Sequence, residues 1–225
     1  MGNPDDIEQI LTEHKPITSR IKQLVDRLRP EGMIRQRKLE DGDEIDINAA
    51  VEAIIDIRMG HQPDPRITLK NVLNRRDLAI LILLDLSEST NERLAGLEKT
   101  VLELTREASA LVSTAISGIG DTFAIHGFAS DGRHDVRYYR LKRFEQAFDE
   151  EAKGRLAGMQ GGLSTRMGAA MRHAGHHLSR RTEKRKMLLI VTDGSPSDID
   201  EMDPQYLRMD AKKATEELRT KGIMT

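Results

Sequence analysis

Residues 78–90 read LAILILLDLSEST. Residues 78–84 are all apolar, and the run stops abruptly at Asp85, with Ser87 and Ser89 just beyond. An apolar run without alternation needs cover on both faces, as in a strand of a parallel sheet held between two helix layers. It is far too short to cross a bilayer. A buried strand that ends in a carboxylate and two hydroxyls therefore limits both the fold and the chemistry at its end.

The rest of the chain repeats this grammar. The segment NERLAGLEKTVLELTREASALVSTAIS reads as a long amphipathic helix, DTFAIHGFAS as a second strand and HDVRYYRLK as an alternating, more exposed edge strand. Residues 144–157 read as helical, STRMGAAMRHAGHHLSR as a further helix, KRKMLLIVTD as a third buried strand and DPQYLRMDAKKATEELRTKG as another helix. Strands alternating with helices predict an α/β fold, a doubly wound and mostly parallel sheet flanked by helices. The closing KGIMT reads as the start of one more strand, cut short.

Residues 1–76 form a helical N-terminal extension and linker, and residues 77–225 the α/β domain. In ITSRIKQLVDRLRP, Ile21, Leu24, Val25 and Leu28 recur at helical spacing, with Thr18 or Ser19 as cap and Pro30 as stop. EGMIRQRKLEDGDEID is polar and irregular, with the look of a short hairpin. DINAAVEAIIDIRMG gives a second helix, capped by Asp46 or Asn48 and ended by Gly60, and the two prolines of HQPDPRIT make an extended linker.

The composition narrows the function. The net charge is −2 and aromatics are 3% of residues, so the chain lacks both the basic footprint and the stacking platforms of a nucleic-acid binder. With no cysteine it has no disulfide, thiolate zinc site or cysteine nucleophile, which fits a reducing compartment. MGNPDDIEQIL lacks the basic and apolar regions of a signal peptide. Together these features give a cytoplasmic protein as the expectation.

In doubly wound sheets, ligands bind beyond the carboxyl ends of the strands. There the sequence places Asp85, Ser87 and Ser89 after the first strand, Thr165 in the Gly-rich GGLSTRMGAAM, and Asp193 in TDGSPSD after the third buried strand. All are hard oxygen donors, which select Mg²⁺ or Mn²⁺, with Ca²⁺ also admissible, over zinc or copper. Two carboxylates and three hydroxyls leave room in the shell for water or for a partner's Asp or Glu. The plainer alternative is that Ser, Thr and Asp after a strand simply cap the next helix. Another is a metal-assisted hydrolase with Asp85 as nucleophile or base, although it lacks a second acid on the same side of the loop (Glu88 reads as exposed), a lysine in the loop or a histidine at a strand end.

Asp85-x-Ser87-x-Ser89, then Thr165, then Asp193-Gly194, resemble the metal-ion-dependent adhesion site of a von Willebrand factor A domain, over roughly residues 77–225. That resemblance implies a Rossmann-type sheet with one antiparallel edge strand. It also implies a magnesium-type ion held by Asp85, Ser87, Ser89, Thr165 and Asp193. DGDEIDINAAVEAIIDIRMGHQPDPRI followed by RRDLAILILLDLSESTNE resembles the C-terminal part of the NorD/CbbO proteins. These are non-catalytic adaptors that work with a hexameric MoxR-type AAA+ ATPase. The resemblance is taken to the CbbO type, a Rubisco activase adaptor, which implies Rubisco as the client gripped by the metal site; the alternative is the NorD type, which implies nitric oxide reductase.

Other motifs read more plainly. His173, His176 and His177 lie on one helix without an acidic third ligand and read as a solvated face. His126 reads as a packed or hydrogen-bonded strand residue. GMQGGLSTRMG lacks the spacing of a phosphate loop, and SRRTEKRK reads as a solvated basic loop.

Overall fold

The computed structural model describes residues 1–27, 33–73, 77–93, 96, 98–194 and 196–225. Leu28 and Pro30 of the first expected helix lie outside the described residues. The chain divides into two compact units, residues 1–28 with 77–225, and residues 29–76.

The larger unit is built on a five-stranded sheet. Its strands are β4 (Leu78–Asp85), β5 (Thr122–Ser130), β6 (Val136–Lys142), β7 (Arg185–Val191) and β8 (Ile223–Met224), in the order β6-β5-β4-β7-β8. The β4–β5, β4–β7 and β7–β8 pairs are parallel, and β6 is the antiparallel edge. This is the mostly parallel sheet the alternating pattern predicts.

All eight residues of β4 are buried. Alternate side chains enter two separate cores, as the two-residue period of a strand requires. Leu78, Ile80, Ile82 and Leu84 pack with Leu102, Ala110 and Ile116 of α4 (Val101–Ile119) and Leu156 of α5 (Glu150–Ala157). Ala79, Leu81 and Leu83 pack with Met171, Ala174 and Leu178 of α6 (Met167–Ser179) and with Ala214 and Leu218 of α7 (Pro204–Thr220). Each buried leucine or isoleucine contributes about 1.5–3 kcal/mol relative to exposure, so this strand anchors both layers.

Two helix starts fall later than the periodicity suggests. The expected helix from residue 91 begins at Val101, because Thr100 and Glu103 form a capping box. The Thr100 hydroxyl accepts from the Glu103 amide at 3.2 Å, and the Glu103 carboxylate accepts from the Thr100 amide at 2.7 Å. Gly120, at φ 83°, ends the helix in the left-handed region. The helix expected over 144–157 begins at Glu150, where the Asp149 carboxylate caps the Ala152 amide at 2.9 Å.

At the N-terminus, α1 (Pro4–Glu13) is capped by Asn3 and places Ile7, fully buried, in the α4-side core. The apolar pattern of this helix is too sparse to stand out in the sequence. The next helix, α2 (Lys15–Arg27), starts ahead of Thr18, with Pro16 in its first turn, where a missing amide donor costs nothing.

The smaller unit holds β1 (Met33–Leu39), β2 (Glu44–Ile45), α3 (Ile47–Arg58) and β3 (Thr68–Leu73). The polar segment is not a hairpin on itself. Both β1 and β2 pair antiparallel with β3, which continues from the proline-containing linker. The pairing could not be read locally because its partner strand lies beyond α3. Asp46 caps α3 through the Asn48 amide at 3.2 Å, and the Arg37 guanidinium donates to both its oxygens at 2.9 and 2.7 Å. Among the described residues no helix is long and apolar enough to cross a membrane.

Candidate functional site

Register brings the site together. Leu84 pairs with Val191 and Asp85 with Phe128, so β4, β5 and β7 all end at one level. The residues that follow each strand share an edge with the loop that leads into α6.

Asp85 lies at the centre and is 1% exposed. Its Oδ1 accepts from the Ser87 amide at 3.0 Å, and its Oδ2 accepts from the Thr192 hydroxyl at 2.8 Å. The Thr165 hydroxyl donates to Oδ1 over a long 3.5 Å. Burial pushes the Asp85 carboxyl above its ordinary range, and the nearby charge of Asp193 adds to the rise, against the hydrogen bonds from Ser87 and Thr192. Among the described residues no lysine or arginine pairs with it.

The other expected residues surround it. Ser87 is buried, and its Oγ lies 3.0 Å from the Oγ of exposed Ser89. Thr165 is buried, with its amide held by the Ser197 carbonyl at 2.7 Å. Asp193 is exposed and reaches Asp85 through its field rather than through a hydrogen bond.

The Gly-rich loop is pressed against the loop after β4. The Gly162 amide donates to the Leu86 carbonyl at 2.9 Å, and the Glu88 amide to the Leu163 carbonyl at 2.8 Å. A Cβ on Gly161 would meet the Thr90 hydroxyl at 2.5 Å, so only glycine fits there. Leu163 sits at φ 68°, unusual for a branched side chain, in the turn that delivers Ser164 and Thr165.

Several residues around this site escape a reading of the sequence. Thr192, next to Asp193 in VTDG, supplies the shortest contact to Asp85. The others form a network beneath Thr165. Asp198, with its side chain 0% exposed, accepts from Arg166 Nε at 2.8 Å, from the Ser130 hydroxyl at 3.0 Å and from the Gly132 amide at 2.9 Å. The Ser130 hydroxyl in turn accepts from the Arg166 amide at 2.9 Å. Arg166 also pairs with Asp200, which binds Arg133 at 2.9 Å and is held at about 2 by Arg133 and then Arg166. Nothing local marks Asp198, whose partners lie 32 and 68 residues away.

Among the described residues no group of three or more His, Cys, Asp or Glu side chains converges to hold a metal. The donors at this edge are hydroxyls and two carboxylates. Adjacent ligands of an octahedral magnesium ion lie roughly 3 Å apart, which the Ser87–Ser89 hydroxyl separation matches. A buried carboxylate without a cationic partner fits the same class of ion.

The von Willebrand factor type A domain model matches residues 79–225. The chain belongs to the von Willebrand factor type A family. It is 36% identical over 219 residues to the protein NorD of Stutzerimonas stutzeri, covering 95% of this chain and 36% of that protein. It is 33% identical over 207 residues to NorD of Brucella abortus, covering 92% and 32%. An uncharacterized protein of Pseudomonas aeruginosa is 36% identical over 194 residues, covering 86% and 32%. The chain thus spans about a third of the length of the curated relatives it matches. Among solved structures, a mutant of the PilB minor pilin from Streptococcus sanguinis shares the fold, with a TM-score of 0.54 at 12% identity, over 72% of this chain and 51% of that one. Von Willebrand A domains are protein-interaction modules.

Proposed function

We propose that this domain is a metal-dependent adaptor that captures an acidic residue of a client protein, with no chemistry of its own. One observation carries the reading: Asp85 is a buried carboxylate with no basic partner among the described residues, ringed by hydroxyls at the sheet edge. Asp85, Ser87, Ser89, Thr165 and Asp193 would hold a magnesium-type ion, with Mn²⁺ or Ca²⁺ as substitutes. When bound, such an ion offers an open position to a carboxylate oxygen from outside. The protein orients the donors. Thr192 and the Ser87 amide fix the Asp85 carboxylate, and the Arg166–Asp198 network fixes the segment that carries Thr165.

The proposed partners include a MoxR-type AAA+ ATPase, a reading supported by the resemblance to NorD/CbbO proteins, with remodelling of the captured client as the outcome. The named relatives favour nitric oxide reductase as client, and Rubisco follows only from the CbbO side of the resemblance. A hydrolase built on Asp85 is the weaker reading. The buried carboxylate is already engaged by three donors, and no histidine or lysine hydrogen-bonds it.

The test is capture of purified nitric oxide reductase and purified Rubisco on the immobilised chain, in Mg²⁺ and in EDTA, with Asp85→Ala alongside. Capture of either client that needs both Mg²⁺ and Asp85 supports the adaptor. Capture indifferent to both, or phosphatase turnover abolished by Asp85→Ala, overturns it.

A further inference from the structure

A second polar site lies at the other end of α6. The helix begins beside Thr165 and ends at Ser179, roughly 20 Å of helix at 1.5 Å per residue. At that far end a half-open cavity of about 180 Å³ lies between β5, β6, the turn after β6 and the C-terminus of α6. Its lining includes Arg140 of β6, Arg143 after it, Arg180 and Arg181 after α6, and the imidazoles of His126 and His177.

The charges do not balance. Arg181 is neutralised, pairing with Glu145 at 2.7 Å and Glu183 at 2.9 Å. Among the described residues Arg140, Arg143 and Arg180 have no acidic partner. Favourable placement of cations at a helix C-terminus accounts for Arg180 and Arg181. It does not account for Arg140 and Arg143, which come from a strand and the turn beyond it. Three unpaired guanidiniums around one small cavity repel each other, and an anion between them would remove that cost.

The imidazoles add donors rather than more charge. His126 is 2% exposed, and its Nδ1 lies 2.8 Å from the Tyr138 hydroxyl. Burial, then the charges of His177, Arg140, His173 and Lys142, holds His126 down at about 3, so the ring is neutral at physiological pH. Burial raises the Tyr138 hydroxyl, which keeps its proton and shares a hydrogen bond with Nδ1. A neutral ring carries one N–H donor. His177 stacks on Tyr138 at 5.9 Å, meets His126 edge-on at 5.2 Å and is half-buried, whereas His173 and His176 on the same helix are exposed, as the sequence suggests. Phe144 forms a wall, with the Arg181 guanidinium 5.0 Å over its ring.

We propose that this cavity binds a phosphate-sized dianion, either free phosphate or the phosphoryl group of a monoester whose remainder extends through the open side. The planar forks of Arg140, Arg143 and Arg180 suit phosphate oxygens better than they suit a single-charged halide. The volume admits one phosphoryl group and excludes a buried nucleotide.

The test is titration of the full chain with inorganic phosphate at fixed ionic strength, read by calorimetry and by the imidazole resonances of His126 and His177. Saturable one-to-one binding that shifts both imidazoles is expected. The double variant Arg140→Gln/Arg180→Gln, made at exposed positions, should lose roughly tenfold or more in affinity while keeping its melting temperature. Glycerol phosphate separates the two sources. Tighter binding than phosphate marks a monoester site, and equal or weaker binding marks free phosphate. No saturation, an equal response to chloride, tighter binding of acetate than of phosphate, or unchanged affinity in the double variant would each overturn the assignment.

Discussion

The Thr192 hydroxyl donates to Asp85 Oδ2 at 2.8 Å across two neighbouring parallel strands, from a residue 107 positions away in the chain. It follows from register, since Leu84 opposite Val191 sets the next residue of each strand side by side. Residues that orient a ligating carboxylate typically matter 10–100-fold in metal affinity. Thr192→Val should therefore weaken Mg²⁺ binding by roughly tenfold with far-ultraviolet circular dichroism unchanged. Calorimetric titration checks this, and unaltered affinity would show that Thr192 only fills space.

Asp85 itself separates a metal role from a capping role. If its charge is buried in order to meet a cation, Asp85→Asn should cost little stability in EDTA, because the amide keeps the shape and sheds the desolvation penalty. In Mg²⁺ the native chain should gain about 1.4 kcal/mol when the ion is at ten times its dissociation constant, and the variant nothing. Thermal melts with and without Mg²⁺ measure both. Equal gains in the two proteins would remove Asp85 from the ion's shell.

What the sequence could and could not disclose divides along chain distance. Asp85, Ser87 and Thr165 stand out because each breaks a local pattern, at the end of an apolar run or at the opening of a helix after glycines. Asp198 and Arg166 do not, because a buried ion pair looks like two surface charges until the fold joins them. The same holds for β3, whose strand character shows only once β1 and β2 flank it. His126 is an intermediate case. Its place in a strand was legible, but its closeness to His177 and Arg140 needed the α6 packing and the β5–β6 register.

His126 also sets a pH dependence. Its folded pKa, about 3, lies below its ordinary value, so between the two the unfolded chain binds more protons. The stabilisation is complete above about pH 6.5 and is lost as pH falls toward 3. At pH 5 the loss attributable to this residue is about 2 kcal/mol. Urea unfolding at pH 7 and pH 5 should show His126→Gln losing less than the native protein by about that amount. Identical pH slopes would mean that His126 is protonated at little cost.

The Arg166–Asp198 pair makes a sharper demand on stability. Asp198 is fully buried in its side chain, and the Arg166 side chain is 11% exposed. Removing one partner of a buried pair leaves the other charged and poorly solvated, at a cost of about 3–5 kcal/mol. Asp198→Ala should cost that much in urea unfolding. Asp198→Asn should cost less, since its one carbonyl oxygen can still accept from the Gly132 amide, although its NH2 group then faces Arg166 and Ser130. The Asn variant should also bind Mg²⁺ more weakly, because Arg166 adjoins Thr165, its amide is held by Ser130 of this network, and the Thr165 amide is held by Ser197, the neighbour of Asp198. If Asp198→Asn keeps full Mg²⁺ affinity, the network serves the fold alone.

The α6–α7 contact depends on having no side chain at Gly168 and Gly175, which lie seven residues apart on one face of α6. A Cβ on Gly175 would run into the Leu218 side chain, which is 1% exposed and cannot swing into solvent. A Cβ on Gly168 would run into Asp210, which Arg172 holds at 2.9 Å. Alanine is the better helix former, so an isolated helix would gain from either change. Here overpacking should dominate, and Gly175→Ala should destabilise the domain by about 1–3 kcal/mol. Because Leu218 and Ile223 both border this position, the damage should spread to β8. Amide hydrogen exchange should therefore show Ile223 and Met224 losing protection while β4 keeps its own. A neutral or stabilising Gly175→Ala would mean that α7 is free to slide on α6, and that the last strand is held by its pairing with β7 rather than by the helix layer.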